Sequence, residues 1–203
     1  MKRYLLIAGI TAAALIGALW HWHGTPPSAS SSRPEGPFKP RSYSLLDHNG
    51  APVTEKSYPG KFQLVFFGYT YCPDVCPTEL LVISEALDLL GDDAKHFVPI
   101  FITVDPDHDT PETMKDYVEN FHPSMIGLTG GKDQIRSAAN SFRARYIKIT
   151  DPDGDPDVYY MGHTASIHVT DPGGMARQSF KRGTPAADMA ARLKRAIAGT
   201  PSR

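Results

Sequence analysis

The stretch FQLVFFGYTYCPDVCP, residues 62–77, joins an uninterrupted apolar run to a short loop that carries both cysteines of the chain. An apolar run of this length is typical of a strand that is buried on both faces of a sheet. After Pro77 apolar residues recur at helical spacing from Leu80 to Leu90, and Gly91 is a natural stop. The stretch therefore predicts a buried strand, a cysteine-containing loop and an amphipathic helix, in that order.

The rest of the domain continues to alternate strand and helix signals. Asn49-Gly50 lies between short apolar segments and predicts a hairpin turn. FVPIFITVD (97–105) predicts a second buried strand, and TPETMKDYVENFH (110–122) begins with a threonine N-cap and a proline at N1. The later segments predict a short strand, a helix, further strands joined by turns, and a closing helix. This order predicts an α/β domain with a mixed sheet flanked by helices, which fits a thioredoxin-like fold best.

Residues 1–22 predict a membrane anchor helix. Lys2 and Arg3 precede an uncharged apolar run over 4–20, and both tryptophans of the chain lie at its far end. As a helix the run would be about 26 Å long, slightly short of the roughly 30 Å hydrocarbon core of a bilayer. We interpret it as an uncleaved single-pass anchor, with a cleaved signal peptide as the alternative. The positive-inside rule places the remaining chain outside the cytoplasm, which in a Gram-negative host means the inner membrane with the domain in the periplasm.

Residues 23–41 are rich in proline, serine and glycine and predict a tether, so the folded domain is expected over 42–203. Lysine and arginine total 21 against 22 acidic residues, and no long basic run is present. This balance argues against a nucleic-acid partner. Export to an oxidising compartment makes a structural disulfide a serious alternative for the cysteine pair.

Each cysteine is followed by a proline, in Cys72-Pro73 and Cys76-Pro77. Because proline pushes the preceding residue towards extended backbone, we expect Cys76 to be the N-cap of the helix, with Pro77 at N1 and Glu79 at N3. The helix dipole and the free amides at this position favour the thiolate, the form that binds metals and attacks disulfides.

Three residues separate the cysteines, one more than in the C-x2-C motif of thioredoxin-like oxidoreductases. This spacing is compatible with a disulfide and also with a metal that has one further ligand. Two thiolates and one imidazole form a soft, low-coordinate set that suits Cu(I), whereas a structural zinc site normally requires four ligands. The residues alone leave a disulfide clip, a redox pair and a metal site open.

Several motifs together resemble the Sco/SenC family, from about Tyr43 to the final helix. They are CPDVCP after an apolar strand, VDPDHDTPETMKDYVENF, GLTG, and HT before a strand that ends in DPGG. The resemblance implies a membrane-tethered, thioredoxin-like protein that binds copper and assists assembly of the dinuclear copper site of cytochrome c oxidase. It implies Cys72, Cys76 and His163 as the copper ligands. The implied partners are the copper-bearing subunit of the oxidase and a thioredoxin-like reductase.

His163 stands between YYMG and the strand TASIHV, where a loop could bring it against the cysteines. His168 lies five residues further on, and an odd spacing along a strand turns it to the opposite face. Gly162 occupies the position where the family usually has aspartate, so a carboxylate that could orient the imidazole is missing. Met161 is interpreted as a hydrophobic filler rather than a thioether ligand.

Three aspartates near these motifs have two interpretations each. Asp74 either tunes the thiolates or stabilises a turn. Asp105 and Asp109 are interpreted as helix-capping and turn-capping groups, with a position near the site as the alternative. DPDGDPD (151–157) predicts a turn rather than a calcium loop, and HWH (21–23) an interfacial anchor rather than a metal site.

The leading functional hypothesis is a copper-binding assembly factor. The alternative is a thiol-disulfide oxidoreductase that keeps the cysteines of an exported copper protein reduced, with Cys72 and Cys76 as its catalytic residues. A thiol peroxidase is less well supported, because no lysine or arginine flanks either cysteine. Whether the protein is an enzyme stays open, since a metallochaperone with reductase activity fits the same residues.

Overall fold

The structure is a computed structural model that describes residues 37–40, 42–150 and 158–199. They all fall within one unit of the chain, Gly36–Arg203. The predicted anchor (1–22), the predicted tether (23–41) except residues 37–40, and the predicted turn at 151–157 lie outside the described residues. None of the helices in the described part of the chain is long and apolar enough to cross a membrane.

Strands and helices alternate as the sequence predicts. The described strands are β1 (Ser44–Asp47), β2 (Pro52–Thr54), β3 (Phe62–Gly68), β4 (Phe97–Thr103), β5 (Ile126–Thr129), β6 (Tyr146–Thr150), β7 (Tyr159–His163), β8 (Ser166–Thr170) and β9 (Ala176–Lys181). The described helices are α1 (Val75–Leu90), α2 (Pro111–Val118), α3 (Lys132–Ser141) and α4 (Ala186–Ala198), and a 3₁₀ helix (Gly91–His96) follows α1.

The main sheet has seven strands in the order β2-β1-β5-β4-β3-β8-β9, and β6 and β7 form a separate two-stranded sheet. β3 is parallel to β4, which is parallel to β5, whereas β3 pairs with β8 in antiparallel fashion. The predicted mixed α/β sheet is therefore confirmed. Every residue of β3 is buried, as expected for a central strand that is covered on both faces.

The sheet order explains why distant parts of the chain meet at one end of β3. Since β4 runs parallel to β3, Asp105 just beyond β4 lies at the same end as the cysteines just beyond β3. Since β8 is antiparallel to β3, with Phe66 opposite Ile167, the residues that precede β8 also arrive there. His163, the last residue of β7, is among them.

The start of α1 differs from the prediction. The helix begins at Val75 with Asp74 at the N-cap, so Cys76 lies inside the first turn and Pro77 follows it. Proline is tolerated there because the first amide groups of a helix have no intrahelical partner. Glu79 does not complete a capping box, because its buried carboxylate accepts a hydrogen bond from the backbone N–H of Gly183 at 2.9 Å.

Candidate metal centre

The structure brings together the three residues that the resemblance implies as ligands. The sulfur atoms of Cys72 and Cys76 and a ring nitrogen of His163 all lie within 4.8 Å of one another. His163 Nε2 is 3.3 Å from Cys76 Sγ, and the backbone N–H of Cys76 donates to Cys72 Sγ at 3.4 Å. Both cysteines are free thiols. In the described part of the chain, this trio is the group of side chains that could hold a metal ion.

Cys76 is the buried residue of the pair, and Cys72 is the partly exposed residue. Burial raises the pKa of the Cys76 thiol, and a hydrogen bond with the backbone of Tyr69 opposes the rise only in part. The helix N-terminus therefore does not make Cys76 a ready thiolate, contrary to the prediction. A metal ion that binds this sulfur has to displace its proton.

Gly68 lets the backbone of β3 pass directly beneath Cys76. A Cβ atom at this position would lie 2.7 Å from Cys76 Sγ and 2.7 Å from Cε2 of Phe101. Both neighbours are fully buried, so neither has room to withdraw. The sequence showed Gly68 only as the end of an apolar run, and its packing role could not be predicted from it.

His163 is held in the neutral form that a metal requires. Burial lowers the pKa of its imidazole, and a hydrogen bond with the Thr164 carbonyl offsets part of that effect. Nδ1 lies 3.4 Å from the Thr164 oxygen, to which an N–H on this nitrogen donates. That assignment leaves the lone pair of Nε2 facing Cys76. The rings of Phe66 and Tyr69 stand edge-on to the imidazole at 6.0 and 6.1 Å between centroids.

Gly162 does not leave a gap beside the imidazole. A Cβ atom there would meet Cδ1 of Ile149 at 3.1 Å and Cγ2 of Ile147 at 3.2 Å, both on β6. A side chain at position 162 would therefore point towards β6, whereas His163 points towards the sulfur atoms. The Thr164 carbonyl contacts the imidazole nitrogen instead of a carboxylate.

His168 and Asp74 lie outside the trio. His168 is buried among aromatic rings, with centroids 5.8 Å from Phe142 and 6.4 Å from Phe38. Asp74 is exposed and lies 3.6 Å from the guanidinium of Arg182, which is also exposed. Exposed ion pairs of this kind contribute little to stability.

Asp109 supports the cysteine loop, which we define as residues 69–76. Its buried carboxylate accepts hydrogen bonds from the Thr70 backbone N–H at 3.1 Å and from the Thr70 hydroxyl at 2.6 Å. The Thr103 hydroxyl donates to it at 2.5 Å. Burial raises the pKa of Asp109, against the effect of these hydrogen bonds. Thr110 is the N-cap of α2, as the sequence predicts, and its side chain caps the helix. Asp109 therefore does not have the capping role that we expected.

Asp105 and Tyr159 form a second polar contact at the same end of the sheet. The Tyr159 hydroxyl donates to both carboxylate oxygens of Asp105, at 2.8 and 2.7 Å. The sequence analysis did not identify Tyr159. The available signal was its position four residues before His163 on a strand, which places both side chains on one face.

The donor atoms fit copper in its reduced state. Two thiolate sulfurs and one imidazole nitrogen are soft ligands in low number, and such sets select Cu(I). Structural zinc sites normally have four protein ligands, and the described trio offers three.

Comparison with known proteins agrees with this arrangement. The model of the SCO1/SenC family matches residues 32–198. Protein sco1 of Schizosaccharomyces pombe is 38% identical over 150 residues, which make up 73% of this chain and 57% of that protein. The chain thus spans little more than half the length of this relative.

Two solved structures share the fold over most of the described chain. Arabidopsis thaliana ScoI with copper bound is 32% identical, with a TM-score of 0.74 over 80% of this chain and 100% of that one. Bradyrhizobium japonicum ScoI with copper bound is 44% identical, with a TM-score of 0.70 over 78% of this chain and 99% of that one. The thioredoxin-like fold class is therefore confirmed, while the anchor helix lies outside the described residues.

Proposed function

The chain belongs to the SCO1/SenC family, and we propose that it binds one Cu(I) ion through Cys72, Cys76 and His163. The copper is cargo that the protein supplies during assembly of the dinuclear copper site of cytochrome c oxidase. The observation that carries the proposal is the approach of the two sulfur atoms and the imidazole nitrogen to within 4.8 Å. Copper in two solved relatives of the same fold supports it.

The difference in burial among the three residues gives the cargo a route. Cys76 is buried, whereas Cys72 and His163 are partly exposed. A ligand of the acceptor protein can therefore approach the ion from the side of these two residues. Cys76 is the ligand that is farthest from that side.

The location of the protein and its partners complete the proposal. We propose that residues 1–22 anchor the chain in the inner membrane and that residues 23–41 tether the domain on the periplasmic side. The acceptor is the copper-bearing subunit of cytochrome c oxidase. A thioredoxin-like reductase keeps Cys72 and Cys76 open, because an oxidising compartment otherwise joins two neighbouring thiols.

The thiol-disulfide oxidoreductase alternative has less support. Cys72 is partly exposed, and its sulfur accepts a hydrogen bond from the backbone N–H of Cys76. The raised pKa of Cys76 makes this thiol a poor attacking group for the second half of a reductase cycle. His163 would be secondary in that chemistry, so the effect of its removal on copper binding and on thiol reduction separates the two functions.

The test is a Cu(I) titration of the reduced full-length chain in the presence of a competing Cu(I) chelator. We expect one Cu(I) per chain and an affinity loss of about 100-fold or more in His163→Ala, because loss of a ligand exceeds the 10–100-fold cost of losing a group that only supports one. His122→Ala is the matched control, since that ring contacts Ser124 rather than the sulfurs. Equal affinity in wild type and His163→Ala would refute the proposal.

A further inference from the structure

The strand that carries His163 is not part of the main sheet. β7 pairs only with β6 in the described sheets, and the two form a hairpin of their own. Along β7 the side chains of Tyr159, Met161 and His163 share one face, because strand side chains alternate. Met161 is 8% exposed, whereas Tyr160 on the opposite face is 58% exposed. One face of β7 therefore lies against the domain, with His163 at one end and Tyr159 at the other.

The Tyr159 end of this face has a directional contact with the domain. The Tyr159 hydroxyl donates to Oδ1 and Oδ2 of Asp105 at 2.8 and 2.7 Å. Met161 contributes apolar burial, which is not directional. A hydrogen bond, in contrast, weakens steeply with a change in distance or angle. The backbone of Met161 has a hydrogen bond with Tyr69, and the contact at Tyr159 is a second directional one that helps to fix the register and the tilt of β7.

Asp105 is itself held firmly. It is 6% exposed, and its backbone N–H donates to the Thr103 hydroxyl at 2.9 Å. Its carbonyl accepts from the N–H of Asp109 at 3.0 Å. The acceptor therefore belongs to the rigid turn at the end of β4, close to where the cysteine loop leaves β3.

Two neighbouring groups complete the contact. His108 Nδ1 lies 3.2 Å from Asp105 Oδ2 and also contacts the Tyr159 hydroxyl. The ammonium group of Lys148 lies 3.6 Å from the centroid of the Tyr159 ring. Burial, followed by the hydrogen bond to Asp105, raises the pKa of Tyr159, so the hydroxyl remains a donor near neutral pH.

We propose that Asp105 and Tyr159 are positioning residues that fix His163 against the two sulfur atoms. The proposal rests on the copper-binding function of Cys72, Cys76 and His163. The span from Tyr159 to His163 is about 13 Å along the strand. Without the hydroxyl contact the Tyr159 end of the hairpin is held less firmly, and the imidazole spends less time within bonding distance of the metal.

The first test compares Tyr159→Phe with Tyr160→Phe in the reduced full-length chain. Each substitution removes one hydroxyl, but Tyr160 is exposed on the opposite face of β7. We expect Tyr159→Phe to weaken Cu(I) binding about tenfold in chelator competition, which is the scale of a hydrogen bond to a charged group. Tyr160→Phe is expected to stay within about twofold of wild type. Equal affinities for all three proteins would overturn the proposal.

The second test asks whether Tyr159 acts through His163. In a His163→Ala background, adding Tyr159→Phe should cause no further loss of Cu(I) affinity, because residues that act as a unit are not additive. X-ray absorption of the Cu(I)-loaded Tyr159→Phe protein should show a weaker nitrogen contribution than wild type. A loss of the same size in both backgrounds would overturn the positioning role and indicate a general effect on the fold.

Asp105 provides an independent pair of variants that does not depend on Tyr159→Phe folding. Asp105→Asn retains an oxygen that accepts from Tyr159, whereas Asp105→Ala does not. We expect Asp105→Asn to bind Cu(I) within about threefold of wild type and Asp105→Ala to lose about tenfold. Equal losses in the two variants would contradict the proposal. Wild-type affinity in His163→Ala would refute the copper site itself, which is distinguishable from a failure of the Tyr159 effect alone.

Discussion

The cysteine loop and the β6–β7 hairpin contribute to the same site but are attached to the domain in different ways. The cysteine loop continues from a fully buried central strand into α1, and Cys76 is itself part of the hydrophobic core. The hairpin is a separate two-stranded sheet, whose side chains Ile147, Ile149 and Tyr160 are exposed. A change beneath the sulfurs should therefore alter stability and metal binding together. A change on the face of the hairpin that lies against the domain should alter metal binding with little effect on stability.

The largest effect is expected for Gly68→Ala, beneath the sulfurs. The added Cβ would lie 2.7 Å from both Cys76 Sγ and Phe101 Cε2, so the core has to rearrange. Overpacking of this kind costs about 2 kcal/mol of the free energy of unfolding. Because Cys76 moves as well, Cu(I) affinity should fall in the same variant. Urea unfolding of the metal-free chain and chelator competition measure the two effects.

Gly131→Ala is the matched control for this change. Gly131 has a φ of −67°, which suits any residue, and a Cβ atom there would meet only the end of the Gln134 side chain. Because Gly131 is the N-cap of α3, where alanine is less favourable than glycine, we expect its unfolding free energy to fall by less than about 1 kcal/mol. A stable Gly68→Ala protein with weakened copper binding would contradict the coupling that we assign to the cysteine loop.

The next effect is the pH dependence of copper binding, which should come from the sulfurs and not from the imidazole. Burial raises the pKa of Cys76, so its proton is still present at neutral pH and is released when Cu(I) binds. Each thiol proton that is released makes the apparent affinity rise about tenfold per pH unit, or about 1.4 kcal/mol. The pKa of His163 is lowered by burial, so this ring is already neutral above its ordinary range and releases no proton there.

The measurement is Cu(I) affinity between pH 7 and 8, corrected for the pH dependence of the chelator. Wild type and His163→Ala should show the same slope at different absolute affinities. A slope that flattens in His163→Ala would mean that the imidazole carries the released proton, against the direction of its pKa shift. The ordinary pKa of a histidine is near 6.5. As the pH falls below this value and through the lowered pKa of His163, the ring becomes protonated, and the wild type should lose further Cu(I) affinity.

The same contrast explains how much of the site could be predicted from the sequence. The buried strand, the cysteine loop and the following helix have local signals, and only the first turn of α1 was placed wrongly. That error arose because the position of Pro77 was taken as N1, although proline is tolerated anywhere in the first turn. No local sequence signal predicts which parts of the domain the β6–β7 hairpin contacts. His163 meets Cys76 across 87 residues because β8 lies beside β3, and the sequence does not state the strand order.

The polar contacts that attach the two regions to the turn after β4 were hardest to predict. Asp105 and Asp109 lie in a motif whose spacing suggests capping, yet their carboxylates bind Tyr159 and Thr70. Each of these contacts joins segments that are far apart in the chain. Burial of both carboxylates is the physical reason that they need such partners, and burial is known only from the fold.

The smallest effect is expected for Gly162→Asp, which introduces the carboxylate that the family usually has at this position. Strand alternation directs this side chain towards Ile147 and Ile149, where the ideal Cβ contacts are 3.2 and 3.1 Å. Those isoleucine side chains are exposed and can give way, so the free energy of unfolding should fall by less than about 1 kcal/mol. The carboxylate faces away from the imidazole and acts only through its charge across solvent. Cu(I) affinity should therefore change less than about threefold. A change of tenfold or more would show that position 162 communicates with His163 through the backbone of β7, and the hairpin would then be more rigid than its attachment to the domain indicates.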